Sequence, residues 1–168
     1  MPRLTDVVRN PFATLTSTFP PPKPGTRAYD AWNHLARANV AVYRWTGGRV
    51  GGSLDGAPVL LLHHVGRKSG ERRVTPLLHL RDGDRLVIVA SMGGIQKHPA
   101  WYLNLVADPN VSIQVRHEHL DCVARIADHA EKPRLWDVMQ DLWPNFDVYQ
   151  SRTTRDIPVV IIEPKGDG

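Results

Sequence analysis

Most of this chain consists of short apolar or alternating segments separated by turn-forming residues. Val111, Ile113 and Val115 alternate with polar residues, which is the period of a half-buried β-strand. Tight turns such as the one at residues 81–84, which contains Asp-Gly, connect several of these segments as hairpins. The predicted strands span residues 59–65, 73–81, 85–91, 111–115, 120–127 and 157–162.

Three other segments have the helical period. Between residues 27 and 46, Tyr29, Trp32, Leu35/Ala36, Val40 and Tyr43 recur at helical spacing, and two glycines end the pattern. A short helix is predicted after Pro99, and a second one after Pro133, because proline suits the first turn of a helix. We therefore predict a mainly β fold of the α+β class, a small antiparallel barrel with an N-terminal amphipathic helix and two further short helices.

Length and composition fit one globular domain with a modest basic charge. The chain has 168 residues and a formal net charge of +4, which is consistent with an anionic partner. Residues 1–26 are rich in proline and are predicted as a flexible N-terminal segment, and residues 27–168 as a single folded domain. With no apolar run near 18 residues and no signal peptide, we expect a cytoplasmic protein, with peripheral membrane contact through the N-terminal segment left open.

The segment from Gly66 to Arg73 is the most informative chemical feature. It contains Arg67, Lys68, Arg72 and Arg73 within a glycine-framed turn between two predicted strands. Glycines expose backbone N–H groups, and guanidinium groups match phosphate and carboxylate oxygens two at a time. The hairpin is therefore a candidate site for a multiply charged anion, against the alternative of a solvated basic turn.

A second glycine element follows the strand that ends near Ala90. Ser91-Met92-Gly93-Gly94 allows the backbone to approach a ligand closely at a strand end. Lys97 adds a charge and Trp101 a flat apolar wall shortly afterwards. Two such loops on adjacent strands suit a long cofactor with a ring at one end and a phosphate at the other.

Several other kinds of site are excluded by missing motifs. The chain has no G-x-G-x-x-G, no phosphate-binding P-loop, no G-x-S-x-G and no H-E-x-x-H. His63 and His64 point to opposite faces of a strand, and the lone Cys122 excludes an internal disulfide and a cysteine-based zinc site, so no metal is expected. The basic hairpin tip has no stacking aromatic residue, which argues against nucleic-acid binding.

These motifs together resemble the deazaflavin (F420)-dependent nitroreductase family of actinobacteria. The resemblance covers roughly residues 40–164 and implies an FMN-binding-like split β-barrel that binds F420, a cofactor with a deazaflavin ring, a phosphate and a polyglutamate tail. The matching segments are GRKSG at 66–70, RVTPL at 73–77, LRDG at 80–83, VASMGG at 89–94, KHPAWYLNL at 97–105, YQS at 149–151 and IPVV at 157–160.

The resemblance also implies roles for individual residues. Arg67, Lys68 and Arg73 would bind the phosphate and nearby tail carboxylates, and Tyr149 would donate a hydrogen bond or a proton to the acceptor. The remaining implied cofactor contacts are Thr75, Pro76, Leu78, Ala90, Ser91, Met92, Gly93, Gly94, Lys97 and Trp101. The implied substrate wall is Trp143, Phe146 and Tyr149.

The chain departs from the family pattern in its binding residues. Met92 stands where members often have a third basic residue, and Leu78 and His79 replace positions that are usually aromatic. In place of three tyrosines the chain has Trp143, Phe146 and Tyr149, so only Tyr149 retains a hydroxyl.

The implied function is that of an F420H2-dependent oxidoreductase. It would pass a hydride to a quinone-like or other planar electrophile, with nitroaromatics as a further acceptor class. The alternatives are a non-catalytic F420 binder or carrier and an FMN-dependent split-barrel reductase. We expect a monomer or homodimer.

Overall fold

The computed structural model describes residue 22 and residues 25–166, without the side chains of residues 32 and 33. Most of the predicted Pro-rich segment, and with it the candidate membrane contact, lies outside the described residues. Within the described part, no helix is long and apolar enough to span a bilayer.

Four α-helices and eight strands make up the described part of the chain. The helices are α1 (Arg27–Thr46), α2 (Ala100–Ala107), α3 (Lys132–Leu142) and α4 (Asn145–Ser151). The strands are β1 (Ser53–Leu54), β2 (Ala57–Val65), β3 (Arg72–Leu78), β4 (Leu80–Asp82), β5 (Arg85–Val89), β6 (Asn110–Val115), β7 (Glu118–Ile126) and β8 (Val159–Pro164). A short 3-10 turn, Met92–Gly94, follows β5.

All strand pairs are antiparallel, and the sheet curls into a split barrel. Its strand order is β1-β2-β6-β7-β8-β5-β4, and β3 pairs with β2 outside this order. The mainly β antiparallel split-barrel fold expected from the sequence is therefore confirmed.

One extended segment joins the two edges of this sheet. β3 pairs with β2 from Arg72 to Leu78, and β4 pairs with β5 beginning at Leu80. His79 lies between them, buried, and its N–H donates to the carbonyl of Pro58. The barrel is closed at this corner, and the far end of β3 separates from β5, which leaves an opening between them.

Both faces of the central strands are covered by apolar layers. Leu60 and Ile88 pack inside the barrel against Trp101 of α2, and the alternate residues Val87 and Ile161 pack on the other face against α3 and α4. This explains why the strands are continuously apolar in sequence. Burial of each such aliphatic side chain contributes about 1.5–3 kcal/mol.

α1 is held to the sheet by a buried tyrosine. The Tyr43 hydroxyl donates to the carbonyl of Val59 at 2.9 Å and accepts the N–H of Arg116 at 2.9 Å. Burial raises the pKa of this hydroxyl. The opposite surface of the helix end is open, and Trp45 is 89% exposed there.

α3 is fixed by apolar packing and by ion pairs at its first turn. Leu135 and Met139 are fully buried against the sheet. Arg125 on β7 contacts Glu131 at 2.7 and 2.9 Å, and this contact lowers the pKa of Glu131 to about 2. The position of α3 in turn sets where α4 begins.

The sequence-based elements are correct in outline, although β1 was not predicted, the predicted strand 85–91 ends at Val89, and three larger differences occur. The predicted strand 73–81 is interrupted at His79 because the chain changes partner there. The last strand begins at Val159 because Pro158 has no N–H and the N–H of Ile157 donates to Gln150. A further helix, α4, follows Pro144, so three short helices accompany α1 instead of two.

Candidate active site

A cleft of about 980 Å³ lies at the opening of the barrel. Its walls are β3, the end of β5 with the following turn, one side of α1, and the aromatic residues around α4. The cleft brings together eleven residues that sequence reasoning selected: Arg73, Thr75, Pro76, Leu78, Ser91, Met92, Gly93, Trp101, Trp143, Phe146 and Tyr149.

Five other residues that were predicted to bind the cofactor, three through basic side chains and two through backbone N–H groups, do not line the cleft. Arg67 and Lys68 lie exposed at the hairpin tip, and Lys97 is exposed after the turn, so none of them lines the cleft. The N–H of Ala90 donates to the carbonyl of Pro158, and that of Gly94 donates to the carbonyl of Ser91. These two N–H groups are therefore engaged within the protein, and the expectation that they face a ligand is not supported by the geometry.

The basic hairpin is compact because of Gly66. A Cβ on Gly66 would lie 2.7 Å from the Ser69 hydroxyl and 3.0 Å from Nε of Arg73. The absent side chain therefore makes room for the Arg73 guanidinium to lie over the turn, where it contacts Glu71 at 3.0 Å and Ser69 at 3.4 Å. The Arg73 and Glu71 side chains are 50% and 70% exposed. An ion pair this exposed contributes about 0–1 kcal/mol, so an anionic ligand can replace Glu71.

The turn after β5 has an unusual backbone. Met92, Gly93 and Gly94 have φ angles of 47°, 66° and 81° in succession, and Ser91 before them is right-handed. A right-handed residue followed by left-handed residues points successive N–H groups toward one concavity that suits an anionic or carbonyl oxygen. Met92 carries a Cβ in this region, which costs about 1–2 kcal/mol.

Arg155 holds this turn from behind. Its guanidinium donates to the carbonyls of Ala90 at 3.1 Å, Ser91 at 2.8 Å and Ile95 at 2.8 Å. One side chain therefore satisfies three carbonyls of a segment that has left the sheet. Sequence reasoning did not select Arg155, because no local pattern links it to a turn about 60 residues earlier.

The turn also packs directly against α4. A Cβ on Gly94 would lie 2.4 Å from the carbonyl oxygen of Tyr149 and 2.9 Å from Cβ of Arg152. Only a residue without a side chain allows this approach of two backbones. The position of Tyr149 is therefore coupled to the position of the turn.

The three aromatic residues belong to the core and to the cleft at once. Trp143 and Phe146 are 7% and 4% exposed and pack with α3, and the ring centroid of Tyr149 lies 6.2 Å from that of Phe146 in an edge-to-face arrangement. The Arg152 guanidinium lies 5.7 Å from the Tyr149 ring centroid. Core packing is therefore shown for this group, which also lines the cleft, and its role as a ligand wall stays a prediction.

The wall formed by α1 was missed at the sequence level. Leu35 and Val40 line the cleft, although the helical pattern alone did not show which surface they would cover. The charged residues of the lining are Arg37, Arg44, Arg72 and Arg73, with Glu71 as the acid. The cleft is therefore positively charged along α1 and the start of β3, and aromatic at α4. Among the described residues, no three potential metal ligands converge.

The family of this protein follows from its similarity to known sequences. The family model described as F420H2-dependent quinone reductase matches residues 35–164. The chain belongs to this family of F420-dependent oxidoreductases.

Individual relatives agree with this membership. The chain is 43% identical over 132 residues to an F420H2-dependent quinone reductase of Mycobacterium tuberculosis, covering 76% of this chain and 89% of the relative. Among solved structures, the F420-H2 dependent reductase FDR-A superposes with a TM-score of 0.59 at 38% identity, covering 63% of this chain and 94% of that one. A structure described as a domain-swapped dimer superposes with a TM-score of 0.60 at 32% identity, covering 80% and 98%.

The contact between the turn and α4 can be tested with matched glycine substitutions. Gly94 and Gly83 both have positive φ, at 81° and 65°, but a Cβ at Gly83 meets nothing within 4 Å. We expect Gly83→Ala to reduce the free energy of unfolding by about 1–2 kcal/mol, and Gly94→Ala to reduce it by at least about 1 kcal/mol more. Denaturant titrations measure both. Equal losses in the two variants would show that the backbones of the turn and α4 are not in close contact.

Proposed function

We propose that this protein transfers a hydride from reduced F420 to a quinone-like planar acceptor bound in the cleft. The observation that carries the proposal is that one cleft joins the guanidinium groups at the start of β3 to the aromatic residues of α4. The family membership supports F420 as the cofactor, and the M. tuberculosis relative is named as a quinone reductase.

The residues present fit the chemistry of F420. Its anionic phosphate and tail match Arg73, and its planar ring matches a cleft section with apolar walls. Gly66 leaves the space in which the guanidinium lies, and the turn at residues 91–93 offers backbone N–H groups for ring or linker oxygens.

We assign the cofactor contacts by their position along the cleft. Arg73 binds the phosphate, and Arg67, Lys68 and Lys97, which lie outside the cleft lining, bind tail carboxylates that extend into solvent. Ala90 and Gly94 hold the shape of the turn through their own backbone hydrogen bonds. The residues assigned to the ring and its linker are Thr75, Pro76, Leu78, Ser91, Met92, Gly93 and Trp101.

Bound F420H2 supplies the hydride, and the protein supplies orientation and exclusion of water. Trp143, Phe146 and Tyr149 form the wall against which a planar acceptor packs. Tyr149 retains a hydroxyl and is assigned as the group that donates a hydrogen bond or a proton to the reduced acceptor.

Quinones are favoured over nitroaromatics as acceptors. Phe146 has no hydroxyl, and a single neutral hydrogen bond to a nitro group contributes about 0.5–1.5 kcal/mol. Both the carrier alternative and the FMN-dependent alternative use the same cleft, and cofactor titration and turnover distinguish them from the proposal.

We propose that the protein forms a homodimer. A homodimer is supported by the similar structure described as a domain-swapped dimer. A cytoplasmic location, and any membrane contact of the N-terminal segment, stay predictions.

The first prediction concerns the cationic end of the cleft. Arg73→Ala is expected to weaken F420 binding by about 1.5–3 kcal/mol, roughly 10- to 150-fold, with the half-exposed position of Arg73 favouring the lower end. Fluorescence titration measures the dissociation constant. Arg81→Ala removes the same charge from an exposed position on β4 outside the cleft and serves as the control. Equal effects of the two substitutions on the dissociation constant would show that Arg73 acts only by general electrostatic attraction.

The second prediction separates an enzyme from a carrier. A reductase leaves the ring accessible to an acceptor, so catalytic amounts of protein are expected to accelerate oxidation of F420H2 by menadione. The absorbance of the oxidised deazaflavin follows the reaction, with protein-free mixtures as the control. Tight F420 binding without turnover of any of several quinones would favour the carrier.

The third prediction concerns the aromatic wall. We expect the native protein to reduce bicyclic nitroimidazoles slowly, and Phe146→Tyr to increase this rate because it restores a hydroxyl donor. The F420 dissociation constant and the melting temperature of both proteins provide the controls. Fast nitro reduction by the native protein would contradict the role of Phe146 in the acceptor site. A Phe146→Tyr substitution that changes only the melting temperature would contradict it as well.

A further inference from the structure

A chain of hydrogen bonds connects the basic hairpin to the cleft through the barrel interior. The backbone N–H of Arg67 lies 3.1 Å from Oδ1 of Asn104, and Nδ2 of Asn104 lies 3.0 Å from Nδ1 of His64. Nε2 of His64 lies 3.0 Å from the hydroxyl oxygen of Thr75. His64 and Asn104 are 5% and 4% exposed, and Thr75 and His64 both line the cleft.

The directions of these hydrogen bonds follow from the first donor. A peptide N–H can only donate, so the amide oxygen of Asn104 faces Arg67 and its NH2 group faces His64. Nδ1 of His64 must then accept, which places the ring proton on Nε2. The hydroxyl oxygen of Thr75 accepts that proton's hydrogen bond.

His64 remains neutral in this arrangement. Burial lowers its pKa to about 4, and the neighbouring charges of Arg73 and His63 act in the same direction. A neutral ring has one donor and one acceptor nitrogen, which is what Asn104 and Thr75 require.

We propose that Thr75 is a fixed hydrogen-bond donor to a carbonyl oxygen of a planar ring bound in the cleft, and that His64 and Asn104 are positioning residues that orient its proton. The Thr75 hydroxyl accepts the hydrogen bond from His64, so its own O–H points in another direction. Within the described residues this O–H has no other protein partner. The inference rests on the proposed function, because the ring belongs to F420 or to the quinone.

The state of His64 can be measured without any cofactor. Nitrogen-15 NMR of the native, cofactor-free protein at neutral pH distinguishes the two neutral tautomers and the cation, and His64→Phe identifies the resonances. We expect the Nε2-protonated tautomer. The Nδ1-protonated tautomer or the cation would overturn the proposal, because either one breaks the sequence of donors and acceptors.

The role of the hydroxyl is tested by substitution at Thr75. Thr75→Val is expected to weaken F420 binding about three- to tenfold, and Thr75→Ser, which retains a hydroxyl, to restore affinity relative to Thr75→Val. A rise in the KM for quinone at an unchanged F420 dissociation constant would assign the carbonyl to the quinone. Native values of both quantities in Thr75→Val would overturn the donor role.

A double-variant experiment shows whether His64 orients the Thr75 hydroxyl or only stabilises the fold. His64→Phe is expected to weaken the same binding step about two- to fivefold on its own and to add nothing in the Thr75→Val background, because the oriented proton is already absent. Independent, additive losses in the double variant would contradict the positioning role. A native protein that neither binds F420 nor reduces quinones would refute the proposed function and leave the tautomer result standing.

Discussion

The structure depends on one extended segment that pairs with two different strands. Residues 72–78 pair with β2 and residues 80–82 pair with β5, so the sheet is closed at the corner between them. His79 at this corner is buried, and burial, together with the charge of Arg81, lowers its pKa to about 4, which keeps it neutral. Because β3 leaves β5 beyond this corner, the opening that becomes the cleft is a consequence of strand pairing and does not require a separate domain.

The remaining walls of the cleft are tied together by contacts that replace sheet hydrogen bonds. Arg155 satisfies three carbonyls of the turn after β5, and Gly94 lets that turn touch the backbone of Tyr149. The proposed cofactor turn and the proposed acceptor helix are therefore in direct backbone contact. This coupling suits hydride transfer, in which small displacements of either reactant reduce the rate strongly.

Much of this architecture could be predicted from the sequence, and the missing parts have physical causes. The strands followed from apolar periodicity. Arg73 and Thr75 followed from the family motif in the β2–β3 hairpin, and Met92 from the separate motif at 89–94. The wall formed by α1 and the contacts of Arg155 depend on long-range packing that no local pattern encodes. The exposed positions of Arg67 and Lys68 could not be distinguished from that of Arg73, because a basic run does not show which side chains turn toward a cleft.

The proposed function depends most on the identity of the bound cofactor. The most direct measurement is a pair of equilibrium fluorescence titrations of the native protein, one with F420 and one with FMN under the same conditions. We predict saturable binding of F420 that weakens with added salt, because Arg73 is half exposed and its attraction is screened. We also predict much weaker binding of FMN. Tighter binding of FMN, or no binding of F420, would contradict the assignment of this cleft to a deazaflavin.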